Sequence, residues 1–197
     1  MTDEPNIPVP TAPIIDRGPD LFGKGNLSIF AKRYIKTAVI MKYPIGIQDF
    51  EKIRNDGYVY VDKTALIYQL ADTGRYYFLS RPRRFGKSLL ISTMVAYFSG
   101  KRELFKGLAI DKLEQKWTKH PILHLDLNTA KYDTKESLDN VLNDALSAWE
   151  KCYGTSPTEV TPELRFKGIV QRACEKTGER VVILVDEYDK PMLQAIN

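Results

Sequence analysis

The run Val181-Val182-Ile183-Leu184-Val185 is the feature that most restricts how this chain folds. Five consecutive apolar residues, mostly β-branched and without alternation, predict a strand covered on both faces. Covering both faces takes helices, and the preceding sequence alternates between the two kinds of element. Pro121–Leu127 reads as a second strand. Glu136–Trp149 is the clearest helix, with Leu138, Val141, Leu142, Ala145, Leu146 and Trp149 at helical spacing. Thr161-Pro162-Glu163 starts another, with a capping hydroxyl and a proline at the first position, and Ile169, Val170 and Ala173 carry it to Gly178. This alternation predicts an α/β fold with a mostly parallel sheet.

Earlier in the chain the signals are shorter. Tyr43-Pro44-Ile45-Gly46 is an extended entry, Ile47–Arg54 a short helix, Asn55-Asp56-Gly57 a turn, and Tyr58–Val61 a β-prone run. Asp62 is placed to cap a helix through Ala65, Leu66, Ile67 and Leu70, closed by Gly74. Tyr76–Leu79 is predicted as a strand. After it a loop leads to a helix that buries Leu89, Leu90, Met94, Val95 and Phe98 and stops at Gly100. Tyr76, Tyr77, Phe98 and Trp149 are expected in the core. Residues 1–40 differ in kind: five prolines fall between Pro5 and Pro19 with no helical or strand period, so a disordered or loosely attached leader is expected, followed by a domain over 41–197. Met41 opens the ordered stretch and is a candidate start of translation.

Composition is that of an ordinary soluble protein, 43% hydrophobic and 27% charged, and no apolar run reaches the length of a membrane span. Cys152 and Cys174 lie in no metal-type spacing and read as reduced thiols on helices of a cytoplasmic protein. The net charge of +4 has one local source: Arg81, Arg83, Arg84 and Lys87 lie together with no acid between them. Elsewhere acids and bases balance, so an anionic ligand at this loop explains the excess as well as DNA does, and a general basic surface is not indicated.

That loop carries the chemistry. A strand turning into a helix through Arg81-Pro82-Arg83-Arg84-Phe85-Gly86-Lys87-Ser88 points backbone N–H groups at an anion, where the helix dipole also favours negative charge. Gly86 lets the backbone come close, Lys87 supplies a point charge to phosphate oxygens, and the Ser88 hydroxyl is a hard ligand for Mg²⁺. The phosphate-binding residues expected are Arg83, Arg84, Phe85, Gly86, Lys87, Ser88 and Leu89. The pattern is that of a P-loop, with Arg81 where the first glycine is usual. Downstream, the apolar strand ends in Asp186-Glu187. Asp186 is positioned to hold Mg²⁺ with Ser88, and Glu187 to polarise the attacking water as the catalytic residue. Loop and strand together predict a P-loop NTPase, a three-layer α/β sandwich that binds ATP with Mg²⁺.

Other residues have plainer readings. Arg83 and Arg84 could touch phosphate, meet Asp186, Glu187 or Asp189, or be solvated. Asp62 and Lys63 could lie on the adenine side, but a helix cap is the default for Asp62. His120 and His124 are four apart, yet Pro121 and the β-type run between them argue against a pair of helical metal ligands. Asp126 could face the site, with a strand-end hydrogen bond as its default role.

Four runs together resemble a known family: Tyr43–Gly46, Tyr60-Val61-Asp62-Lys63-Thr64, Arg81–Leu89, and Asp186-Glu187-Tyr188-Asp189-Lys190-Pro191 are similar to the AAA-ATPase-like proteins, from about Tyr43 to the end of the chain. The resemblance implies an ATPase module of the additional-strand (AAA/STAND-like) type and makes Arg81 a family feature. It further implies that the chain is an amino-terminal piece of a longer protein that often continues into a nuclease-superfamily domain. The family sheet has a further strand between the loop's strand and the Asp-Glu strand, encoded later than Asn197, so an incomplete sheet prone to aggregation is expected. Three functions compete: ATP hydrolysis coupled to conformational change, a nucleotide-binding switch with little turnover, and nucleic-acid processing through the domain beyond. A homo-oligomer is compatible with the first; a membrane partner is not expected.

Overall fold

A computed structural model describes residues 41–82, 84–132 and 134–195. The expected leader over 1–40 and the side chain of Arg83 lie outside the described residues. The first helix, α1 (Phe50–Asn55), starts where Asp49 accepts a hydrogen bond from the Lys52 N–H at 3.0 Å. Helix α2 (Thr64–Thr73) starts after Asp62, whose carboxylate takes the Thr64 N–H at 2.8 Å and the Thr64 hydroxyl at 2.7 Å. The capping role expected of Asp62 is therefore present, acting from just outside the helix. Helix α3 (Lys87–Phe98) follows Gly86, and a short 3₁₀ turn at Arg102–Phe105 leads to α4 (Ala109–Leu113). Strand β1 (Ile122–Asp126), helices α5 (Lys135–Tyr153) and α6 (Pro162–Thr177), strand β2 (Val182–Asp186) and α7 (Lys190–Ala195) complete the order.

The two strands pair in parallel, with Ile122 opposite Val182 and Asp126 opposite Asp186. Side chains that are opposite in register share a face. One face carries Leu123, which is fully buried against Leu146 of α5 and Ile169 of α6. These helices match the predicted boundaries because their start and stop signals are explicit. Thr161 accepts from the Leu164 N–H with Pro162 next to it, and Gly178 ends α6 in the left-handed region at φ 71°. Arg165 of α6 locks the pair by a two-pronged contact to Glu150 of α5, at 2.7 and 2.8 Å. Cys152 and Cys174 are unpaired and sit on these helices, as expected.

The opposite face, bearing His124, Asp126, Leu184 and Asp186, is covered by α3, so the sheet lies between helical layers. Helix α3 in turn packs into a second core, where Phe50, Ile67, Ala96, Tyr97, Phe105 and Ile110 come together. Wedged between core and sheet, α3 is apolar all round. Its fully buried residues are Thr93, Ala96 and Tyr97, while the predicted Leu89, Leu90, Met94, Val95 and Phe98 are half-buried.

Three expectations are corrected. Tyr76–Leu79 forms no strand: among the described residues nothing pairs with it, and Tyr76 is 94% and Phe78 71% exposed. Tyr76 and Tyr77 are accordingly outside the core, whereas Phe98 and Trp149 pack against it. Tyr58–Val61 contributes a single parallel bridge, from Tyr58 to Lys42. Finally, β2 is not covered on both faces. Ile183 is 47% and Val185 42% exposed, because α5 and α6 pack over β1 and stop short of β2.

Candidate functional site

The loop before α3 ends in Gly86 at φ 75°, a left-handed backbone that residues with a Cβ adopt only at a cost. Arg84, two residues earlier, is also left-handed at φ 67°. The first amide to bond within α3 is that of Leu90, which donates to the Gly86 carbonyl at 2.9 Å. The N–H groups of Lys87, Ser88 and Leu89 therefore point out along the helix axis, toward the loop. Lys87 arches back, its ammonium 3.2 Å from the Arg81 carbonyl. Arg84 and Phe85 are exposed, and the Leu89 side chain packs on the core, leaving its backbone N–H as the group available to an anion.

Beside this helix start is a cleft of about 270 Å³ between α3 and the carboxyl ends of the strands. Ser88 lines it from the helix, and Asp186 and Glu187 from the end of β2. The structure thus brings together the two residues expected to hold a metal and the expected catalytic acid. Carboxyl ends of parallel strands are where α/β sheets usually bind ligands, because helix amino termini converge there. Glu187 sits at φ 53°, outside the region a glutamate prefers. Its own N–H bonds to Asp186 Oδ1 at 3.0 Å, and its carbonyl accepts the Lys190 N–H at 3.0 Å. A tight turn therefore aims the residue after the strand.

The cleft also holds groups the sequence reading did not select. Gln48 enters from the segment before α1, which is fixed to α3 by the Phe50 N–H donating to the Ser92 hydroxyl at 2.9 Å. His124 and Asn128 enter from β1 and the loop after it. Asp126 lines the cleft too, while Oδ1 accepts the Asn128 N–H at 2.8 Å, so both readings offered for it hold. A signal for His124 and Asp126 existed: in a parallel strand beside the Asp-Glu strand, alternate residues face the same side. Gln48 and Asn128 had none, since each arrives through a loop. His120 lies apart, with its ring nitrogen 3.0 Å from the Arg180 carbonyl.

Among the described residues no three His, Cys, Asp or Glu side chains are grouped to hold a metal. Ser88 and Asp186 nevertheless fit Mg²⁺, which takes hard oxygen ligands and usually only one or two from protein, the remainder coming from phosphate and water. Asp62 is distant in role: besides capping α2 it accepts the Ala109 N–H at 2.7 Å, tying α4 to α2.

A family model described as "Predicted AAA-ATPase" matches residues 44–197. The chain belongs to the AAA-ATPase-like family. The Azotobacter chroococcum mcd 1 protein named "Uncharacterized protein in vnfD 5'region" is 42% identical over 153 residues, covering 77% of this chain. The chain spans only 30% of that relative's length. No solved structure matches it. Within this AAA-ATPase-like chain, the matched span takes in the loop at Arg81–Ser88, the cleft and the turn at Glu187. Among the described residues, no helix is long and apolar enough to cross a membrane.

Proposed function

We propose that the cleft binds ATP with Mg²⁺ and that Glu187 promotes hydrolysis of the terminal phosphate. The observation carrying this reading is that Ser88, Asp186 and Glu187, from distant parts of the chain, line one cleft at the amino terminus of α3. The phosphates would lie against the outward N–H groups of Lys87, Ser88 and Leu89, with Lys87 turning from the Arg81 carbonyl to a phosphate oxygen. Arg84 and Phe85 flank that position, and Arg83 belongs to the same loop. Ser88 and Asp186 would hold Mg²⁺, whose charge offsets that of the phosphates. Glu187 would accept a proton from the attacking water, its carboxylate held in place by the turn that Asp186 and Lys190 close. The P-loop sandwich with an additional strand, coupling of hydrolysis to movement, and self-association belong to the same proposal.

Two variants test it. Lys87→Ala should abolish binding of a fluorescent ATP analogue. Glu187→Gln should keep binding and lower turnover by at least about a hundredfold, the usual contribution of a general base. Wild-type binding without turnover would instead make the chain a nucleotide switch. No binding in the presence of Mg²⁺ would dismiss both.

A further inference from the structure

Lys190 occupies the first position of α7, where a positive charge faces the positive end of the helix dipole. Local preference therefore disfavours a lysine here, and its reason lies elsewhere in the fold. Its ammonium reaches across to the loop after β1 and donates to the Asn128 carbonyl at 2.9 Å, Asn128 Oδ1 at 3.2 Å and the Ala130 carbonyl at 2.9 Å. Three donors meet three acceptors, so the group is saturated. The same ammonium lies 5.9 Å from the ring centroid of the buried Tyr132, whose hydroxyl donates to the Leu127 carbonyl at 2.8 Å. The loop over 127–132 is thus folded around one cation supplied by the other strand's connection. Meanwhile the Lys190 N–H closes the turn at Glu187.

We infer that Lys190 is a positioning residue that clamps the Asp126–Asn128 wall of the cleft to the Asp186–Glu187 turn. One residue sets the spacing of the two acidic strand ends: its backbone holds Glu187 and its side chain holds the loop that follows Asp126. This rests on the cleft being the reaction site proposed above. An uncharged side chain of similar length would leave the Asn128 and Ala130 carbonyls without their donor, and the two walls would separate while the strands stayed paired.

The test uses the full chain with Lys190→Met and Lys190→Arg. Lys190→Met should lower kcat for ATP hydrolysis about tenfold with KM changed less than about threefold, as expected when alignment is lost and binding kept. Lys190→Arg should recover part of kcat. Amide hydrogen exchange read by mass spectrometry should accelerate in residues 127–132 of Lys190→Met and stay unchanged in α5 and α6. Wild-type kcat together with wild-type exchange in Lys190→Met would overturn the inference, as would an equal rise in exchange throughout the chain. If the wild type neither binds nor hydrolyses ATP, the proposed function fails, and the exchange comparison still decides whether the clamp exists. If Lys190→Met does not fold, Asn128→Ala, which removes one of the three acceptors, replaces it in the exchange arm: faster exchange confined to 127–132 supports the clamp, and unchanged exchange overturns it.

Discussion

At Gly86 the backbone is left-handed, yet a Cβ added there would meet no atom within 4 Å. The restriction is therefore conformational and not one of space. Gly86→Ala should destabilise the loop by about 1–2 kcal/mol, the cost of a left-handed alanine, with the core intact. The expected outcome is weaker binding of the ATP analogue with a thermal midpoint lowered by only a few degrees, checked by titration and by calorimetry. Residue-scale reading of the sequence was strongest where chemistry and local geometry coincide: Gly86, Ser88 and Asp186 were legible because each serves a helix start or a strand end. It was weakest for Gln48, Asn128 and Lys190, whose partners are set by loops crossing between elements. Tyr97 is a similar case, since burial and its bond to Glu114 push the phenol above its ordinary pKa, and only the fold brings the two together.

Between elements, Asp62 and Thr64 form the joint that sets α4 against α2. Asp62 takes Thr64 and Ala109, and the buried Thr64 hydroxyl accepts the Ile110 N–H at 3.1 Å. Partial burial of the Asp62 carboxyl favours its neutral form, but the hydrogen bonds from Thr64 and Ala109 outweigh this and hold it below the usual carboxylate range. A carboxyl depressed on folding stabilises the native state above its unfolded pKa. That contribution fades as pH falls from about 4 toward the lower folded value. Asp62→Ala should therefore cost about 1–2 kcal/mol at neutral pH, a typical cap loss, and narrow its gap to wild type below about pH 4. Urea unfolding at the two pH values checks this. Helices were legible at this scale because caps and stops are local, as at Thr161, Pro162 and Gly178. Tyr76–Leu79 was misread because β-propensity records suitability for a sheet and not the presence of a neighbour. Its Phe78 instead lies 5.1 Å, ring to ring, from Tyr188 after β2.

Across the whole molecule, the sheet has an apolar flank. The β2 groups that bond to β1 belong to Val182, Leu184 and Asp186, so the N–H and C=O groups of Ile183 and Val185 point to the other edge. Among the described residues no strand pairs there, and both side chains are well exposed beside Phe78 and Tyr188. An unpaired apolar edge is a template for association. The 197-residue chain alone should bind a hydrophobic dye and self-associate, and Ile183→Lys with Val185→Lys should reduce both at similar helix content. Sedimentation velocity and dye fluorescence read the outcome; a monodisperse wild type with no dye binding would contradict it.

The sequence by itself determined the parallel α/β alternation, the helix boundaries and the chemistry of the strand-to-helix loop and the Asp-Glu end. These rest on interactions within a few residues: caps, apolar period, and backbone freedom at one glycine. Tertiary structure decided which strands pair, which face of β2 stays open, and which loops close the cleft. Those outcomes depend on contacts between residues far apart in the chain, as Lys190 with Asn128 and Ala130 illustrates. The apolar run Val181–Val185 belongs to both: its composition demanded a strand, and the packing of α5 and α6 decided that only part of it would be covered.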